Sequence, residues 1–117
     1  MENWPRREHF AYYTKILKVQ YNMTANIKVE KLLDYCHQNG KKFYAVLIYL
    51  VSKTVNGIDN FKMFQDKEGN LCVWDHVVPN YTIFHDDDKT FSDCWTDYDN
   101  DFEVFYQTIT SDMEKYK

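Results

Sequence analysis

The side chains best suited to acid–base chemistry are four histidines, His9, His37, His76 and His85, which stand apart from one another in the sequence. His85 is followed by Asp86, and a carboxylate beside an imidazole can orient the ring for proton transfer. Because His85 ends a predicted strand and is followed by three aspartates, the sequence favours a surface position over a catalytic one. None of the other histidines has a sequence partner that suggests a catalytic nucleophile or a metal site, so motifs alone do not indicate an enzyme.

A second candidate is the acidic spacing Asp97-x-Asp99-x-Asp101, which is similar to the opening of a calcium-binding loop. Such a loop needs glycine at its sharp turn and closes on a bidentate glutamate, but Phe102 and Thr108 occupy those positions. Acids also gather at helix amino termini, where they cap the helix and interact favourably with its dipole. The sequence therefore predicts helix capping here and no metal site.

An aromatic and aliphatic group follows the first predicted helix: Tyr12, Tyr13, Leu17, Val19 and Tyr21. One interpretation is ordinary core packing. The other is a pocket wall, since a tyrosine combines an apolar ring with a hydroxyl that needs a partner when buried. A small ligand with an aryl ring and hydroxyl groups would satisfy both parts.

Length and composition indicate one globular domain covering residues 1–117. The chain is 44% hydrophobic and 18% aromatic, which excludes intrinsic disorder. Its longest apolar run, residues 43–51, is shorter than the ~20 residues that span a bilayer. The first residues lack the apolar region of a signal peptide, so no membrane association or export is expected.

Charge and cysteine content indicate which partners and which compartment to expect. The formal net charge is −4, and eight acids lie within residues 86–103 with only Lys89 opposing them. The remaining lysines and arginines are scattered, so no nucleic-acid partner is expected. Three widely spaced cysteines, Cys36, Cys72 and Cys94, favour free thiols in a reducing cytoplasm. The acidic neighbours of Cys94 are expected to raise its thiol pKa.

Periodicity predicts helices and antiparallel strands. A first helix should begin after a cap at Asn3 and cover residues 4–16, with residues 19–23 extended after it. A second helix carries an apolar face from Val29 to Cys36 and ends before Gly40, and a helix buried on all sides leads to Gly57. A hairpin pairs residues 62–65 with 71–74, and a strand covers residues 81–84. A last helix covers about residues 100–116, with an apolar stripe of Phe102, Phe105, Ile109, Met113 and Tyr116. The expected class is α/β, with antiparallel strands backed by helices.

Several segments, in order, carry a resemblance to a known family: Trp4, Arg6-Arg7-Glu8-His9-Phe10, Lys42-Phe43-Tyr44, Val73-Trp74-Asp75 and Tyr81-Thr82-Ile83-Phe84-His85. Their number and spacing resemble the chloramphenicol acetyltransferases, over nearly the whole chain. The resemblance implies part of a coenzyme A-dependent acyltransferase fold, an α+β two-layer sandwich. It also implies acetyl transfer from acetyl-CoA to a hydroxyl of the antibiotic, in trimers whose active sites lie between subunits.

Site residues follow from the resemblance, position by position. Tyr13 matches the tyrosine that contacts the antibiotic. Arg6 matches an arginine that pairs with an aspartate of the downstream catalytic signature, so its role would be structural. Asp93 stands where a small apolar residue is usual, which questions tight binding of the antibiotic. The positions of the apolar and aromatic pocket wall are Tyr12, Leu17, Val19, Tyr21 and Phe91.

The catalytic signature itself, a histidine pair followed by Asp-Gly, is absent from these 117 residues. The expectation is a truncated acetyltransferase-like chain that is inactive alone, has no catalytic residue of its own and binds no cofactor. Its unpaired strand edges and uncovered apolar face should lead it to self-associate, as a trimer by the resemblance, or to pair with another chain. The alternative is a module that binds aryl ligands or oligomerises without catalysis.

Overall fold

Within residues 4–116, which a computed structural model describes, the chain forms four α-helices and two antiparallel hairpins. The predicted cap Asn3 lies outside the described residues. A π-helix, Tyr12–Ile16, continues the first α-helix, and a 3-10 helix, Asp59–Lys62, follows the third. The elements are α1 (Arg7–Ala11), α2 (Glu30–Gln38), α3 (Phe43–Asn56), β1 (Met63–Gln65), β2 (Leu71–Val73), β3 (Asn80–Phe84), β4 (Phe91–Trp95) and α4 (Phe102–Lys115). This arrangement confirms the predicted mixture of helices and antiparallel strands.

Capping residues mark the start of α4 and the end of α2. Asp101 is the N-cap of α4, and its Oδ1 accepts hydrogen bonds from the backbone N–H groups of Glu103 (2.9 Å) and Val104 (3.1 Å). Asp99 Oδ1 in turn accepts from the N–H of Asp101 at 2.7 Å. After α2, Gly40 has a φ of +60°, a left-handed conformation that glycine adopts without strain. Helix capping is thus confirmed for Asp101, and so is the glycine stop at Gly40.

Two tight turns fix the hairpins. In the β1–β2 turn, Asp66 Oδ1 accepts from the N–H groups of Glu68 and Asn70, and Gly69 has a φ of +87°. Hydrogen bonds from the side chain and backbone of Asn70 lower the pKa of Asp66. In the β3–β4 turn, Asp88 accepts from both the hydroxyl and the N–H of Thr90, which lowers the Asp88 pKa.

The second hairpin contains a strand, β4, that the sequence did not predict. β4 pairs with β3 so that Tyr81 faces Cys94, and Phe84 faces Phe91. The first hairpin is a separate sheet, so each of the four strands has one edge without a strand partner among residues 4–116. Residues 18–29, where an extended segment was predicted, form no helix or strand.

The core lies where α3 and α4 pack together against the β3–β4 hairpin. It consists of Ala45, Tyr49, Tyr81, Cys94, Phe105, Ile109 and Met113. The last three recur every four residues on one face of α4, as its apolar stripe predicted. Tyr49 of α3 contacts both α4 and the residues just before it. Its ring lies 5.5 Å from that of Phe105, and its hydroxyl donates to the carbonyl of Asn100 at 2.7 Å.

A polar network joins the hairpin to α4 beside this core. The Tyr81 hydroxyl lies 2.8 Å from Thr96 Oγ1, which donates to Asp112 Oδ2 at 2.9 Å. Lys115 Nζ donates to the other oxygen of Asp112 at 2.8 Å, and that bond lowers the Asp112 pKa. Burial raises the pKa of Tyr81. The buried hydroxyls are thus satisfied, and the hairpin is held to α4 in one position.

The prediction that α3 is buried on all sides is wrong. Ala45, Val46, Tyr49 and Ser52 are buried, but Leu50 and Val51 on the other side are exposed, Val51 by 56%. The apolar residues of α3 therefore serve two faces, one in the core and one facing outward.

Candidate functional site

The predicted pocket tyrosines lie in the π-helix that follows α1. The N–H of Leu17 donates to the carbonyl of Tyr12 (3.0 Å), five residues earlier, and the N–H of Val19 donates to that of Tyr13 (3.1 Å). Lys18 then adopts a φ of +49° and ends the helix. The rings of Tyr12 and Tyr13 meet edge to face at 5.4 Å, and each is about half exposed. The structure thus brings these two tyrosines together at the surface.

The other predicted wall residues of this segment are also exposed. Leu17 and Val19 are about half exposed, and Tyr21 is 87% exposed. They lie where the chain leaves the π-helix and enters the irregular stretch before α2. The core-packing interpretation of this group is therefore wrong for residues 12–21.

Phe91 and Asp93 lie on β4, on the exposed face of the second hairpin. Side chains alternate along a strand, so Ser92 and Cys94 point to the opposite face. Phe91 is directly across from Phe84, and Asp93 is across from Thr82. The predicted wall residues therefore come from two parts of the chain, the π-helix segment and β4.

Arg6 precedes α1 with an exposed side chain, and its carbonyl accepts from the N–H of Phe10 at 2.9 Å.

His85 is half-buried, and so is not the plain surface residue that the sequence favoured. Its Nε2 lies 2.8 Å from the hydroxyl of Ser92, across the β3–β4 turn. Asp86, the predicted neighbour, pairs with Lys89 Nζ at 3.5 Å. The sequence had no signal for the Ser92 contact, because it depends on the pairing of β3 with β4.

Cys94 lies in the core. Burial raises the pKa of the Cys94 thiol, and the charges of Asp93 and Asp112 add to the rise, as the acidic context predicted. Across residues 4–116, no three histidine, cysteine or acidic side chains are grouped as metal ligands would be. No α-helix in the same range has the length and apolar character to cross a bilayer.

Two apolar grooves that the sequence analysis missed run along the outer face of α3. One, of about 300 Å³, lies between α3 and residues 77–80. The other, of about 550 Å³, lies between α3, residues 27–32 and Phe61. Leu47, Val51 and Val55 line both grooves and form a ridge between them, which we call the α3 ridge. The unbroken apolar run of the sequence was the available signal, but it did not show which side lacks a covering element.

A polar cleft of about 350 Å³ lies at the end of α3. Lys53 lines it, and its Nζ donates to the Tyr49 hydroxyl at 3.1 Å. That hydrogen bond raises the Lys53 pKa. The cleft also contains Asp75 and His76, which the sequence analysis did not connect with Lys53.

Comparison with known proteins gives a consistent result. Residues 1–117 match the profile of the family described as chloramphenicol acetyltransferase. The chain is 39% identical to the chloramphenicol acetyltransferase of Clostridium perfringens over 99% of its own length and 53% of that protein. It is 38% identical to chloramphenicol acetyltransferase 3 of Escherichia coli over its full length and 54% of that protein.

A solved structure agrees on the fold. A chain described as chloramphenicol acetyltransferase superposes with a TM-score of 0.89 at 23% identity, over 99% of this chain and 54% of the other. At that identity the similarity concerns the fold alone. The chain spans about half the length of the curated relatives it matches.

Proposed function

Because this chain belongs to the chloramphenicol acetyltransferase family, we propose that it supplies the acceptor-binding part of an acetyl transfer from acetyl-CoA to a hydroxyl of chloramphenicol. The observation that carries this proposal is the family match over the whole of residues 1–117. In such a reaction a base removes the hydroxyl proton, and the oxygen attacks the thioester carbonyl through an oxyanion intermediate. The part of this chain is to hold and orient the acceptor.

The proposed binding wall consists of Tyr12, Tyr13, Leu17, Val19, Tyr21, Phe91 and Asp93. Two features support it. The tyrosines lie in a π-helix, a distortion that is frequent at functional sites. Large aromatic side chains with exposed rings are also the groups that most often anchor a ligand. Arg6 is proposed to support the wall, not to contact the acceptor.

The 117-residue polypeptide alone is expected to be catalytically silent. Its four histidines include no His-His pair. His85, which directly follows β3, lies 2.8 Å from the Ser92 hydroxyl through its Nε2. Purified chain mixed with acetyl-CoA and chloramphenicol should release free thiol no faster than buffer. The full-length Clostridium perfringens relative serves as the positive control. Turnover by the 117-residue chain that disappears in His85→Ala would contradict this expectation and identify His85 as the base.

Tyr13→Ala tests the proposed wall directly. The substitution removes an exposed ring that has no role in the core, so folding should be preserved while affinity for chloramphenicol falls about tenfold, or about 1.4 kcal/mol. Isothermal titration calorimetry measures the dissociation constant. Tyr116→Ala, which removes another half-exposed tyrosine at the far end of α4, is the matched control. Equal affinities for Tyr13→Ala and the unaltered chain would remove Tyr13 from the wall.

A second candidate function is self-association, which the exposed α3 ridge favours. Apolar patches of this kind mark interaction sites in folded proteins. A chain that oligomerises through this ridge, as a trimer by the resemblance, would act as a binding or assembly module even without catalysis. A charge placed on the ridge at Val51 tests this function, because it should prevent association.

The proposed location of the chain is the cytoplasm. All three cysteines are free, and two of them, Cys36 and Cys94, are buried, which suits the reducing cytoplasm. Acetyl-CoA is proposed as the co-substrate of the complete reaction, with no cofactor bound by this chain itself.

A further inference from the structure

Three aromatic side chains surround one carboxylate on the exposed face of the β3–β4 hairpin. Phe91, Asp93 and Trp95 follow one another on the same face of β4, and Phe84 lies across from Phe91 on β3. Phe84 is 58% exposed, Phe91 63% and Trp95 64%. We call these four side chains the hairpin face.

Asp93 is the charged centre of the hairpin face. Its carboxylate has no hydrogen-bond or ion-pair partner among the side chains and backbone groups of residues 4–116. Residues two apart on a strand are about 6.5 Å apart, so the rings of Phe91 and Trp95 lie on either side of the carboxylate. An exposed carboxylate between two aromatic side chains suits a cation that also has apolar groups.

The surrounding charge adds to this complementarity. Of the charged residues in 86–103, eight are acidic and one, Lys89, is basic. Oppositely charged ligands are concentrated near such a surface, and neutral or anionic ligands are not. The hairpin face is thus apolar at its edges and negative at its centre.

An ammonium group already lies against this face. Lys89 Nζ is 5.8 Å from the centroid of the Phe84 ring while it pairs with Asp86 at 3.5 Å. The combination of a ring and a carboxylate therefore holds a cation at one corner of the hairpin face. Asp93 with Phe91 and Trp95 repeats that combination without a cation supplied by the described residues.

We propose that the hairpin face binds organic ammonium ions, with the charged nitrogen at Asp93 and the aryl or alkyl body against Phe91 and Trp95. The inference rests on the proposed function to the extent that Phe91 and Asp93 belong to the proposed wall. It names the ligand class that this wall prefers over the neutral amide of chloramphenicol: an aryl amino alcohol with a free amine. A neutral amide in the same position would leave the Asp93 carboxylate desolvated without a partner.

The test compares two ligands that differ in one charge. Chloramphenicol carries a neutral amide, and its deacylated form carries a primary amine on the same aryl diol. Calorimetric titrations at neutral pH and low salt should give the amine an at least tenfold lower dissociation constant for the unaltered chain. Asp93→Asn should abolish that preference, because it removes the charge and keeps the side-chain shape.

Asp34→Asn is the matched control, since it changes the net charge equally on the exposed side of α2 and should keep the preference. Thermal unfolding of each variant verifies that it is folded, and Trp95→Ala should also weaken amine binding at least fivefold. An amine that binds no tighter than chloramphenicol, or a preference that survives Asp93→Asn, would overturn the inference.

The outcomes also separate this inference from the proposed function. Chloramphenicol binding that depends on Tyr13 without any preference for the amine would leave the proposed function standing and remove the inference. Amine binding that depends on Asp93 but not on Tyr13 would leave the inference standing and remove the proposed function. Absence of binding by either ligand would contradict both.

Discussion

Replacement of Phe105 by alanine is expected to lower the free energy of unfolding by about 3–5 kcal/mol, the range found for buried phenylalanines. Phe105 has no exposed surface, and its ring lies 5.5 Å from that of Tyr49 and 6.2 Å from that of Tyr98. These contacts join α4 to α3 and to the segment after β4. Because a small domain is stable by only about 5–15 kcal/mol, the substitution would remove much of the total.

Urea denaturation followed by tryptophan fluorescence measures this loss. Val104→Ala is the matched control, since it truncates the preceding residue of the same helix, which is half exposed, and should change the free energy of unfolding by no more than about 0.5 kcal/mol. A loss below about 1 kcal/mol for Phe105→Ala would show that the α3–α4 contact is not the main core.

Replacement of Val51 by lysine is expected to convert an associated species to a monomer of 14.2 kDa. Val51 is the centre of the α3 ridge and is 56% exposed, so a lysine there costs the monomer little. Within an interface the same lysine would be buried without a partner, which costs several kcal/mol. The difference should move the association equilibrium by two orders of magnitude or more.

Size-exclusion chromatography with light scattering measures the molar mass of each variant and gives the stoichiometry. Val73→Lys places the same charge on a half-exposed valine of β2 and is expected to leave association unchanged. An unaltered chain that is monomeric at about 100 μM, or a Val51→Lys chain as large as the unaltered one, would rule out association through the ridge.

The helices were predictable because their signals are local. The spacing of Phe105, Ile109 and Met113 identified the buried side of α4, and the acids before it identified its start. Gly40 identified the end of α2 in the same way. Each of these signals depends on residues within one or two turns, so no knowledge of the tertiary structure was needed.

Features that depend on distant residues were missed. β4 (Phe-Ser-Asp-Cys-Trp) mixes aromatic, polar and acidic residues without a clear apolar alternation, and it becomes a strand through its pairing with β3. The π-helix at Tyr12 has no local sequence signal, because the same residues fit an ordinary α-helix. The apolar run of α3 showed that the helix would be largely buried, but not that Leu50 and Val51 would lack cover.

The candidate site also contains features that the sequence predicted and features that it did not. Residue type alone identified Tyr12 and Tyr13 as ligand-binding candidates, and the resemblance added Phe91 and Asp93. The alternation that places Asp93 between two rings follows from the β3–β4 register, which sequence analysis did not provide.

The separation of the two hairpins determines which contacts close short loops and which close a long one as the chain folds. Gln65 pairs with Leu71 and Phe84 with Phe91, so each hairpin closes a loop of only a few residues. The bond from Tyr49 to Asn100 joins residues 51 positions apart. Because the entropic cost of loop closure grows slowly with loop length, the meeting of α3 with the region around α4 carries a larger closure cost than either hairpin. That single encounter is the event on which cooperative folding of the chain depends.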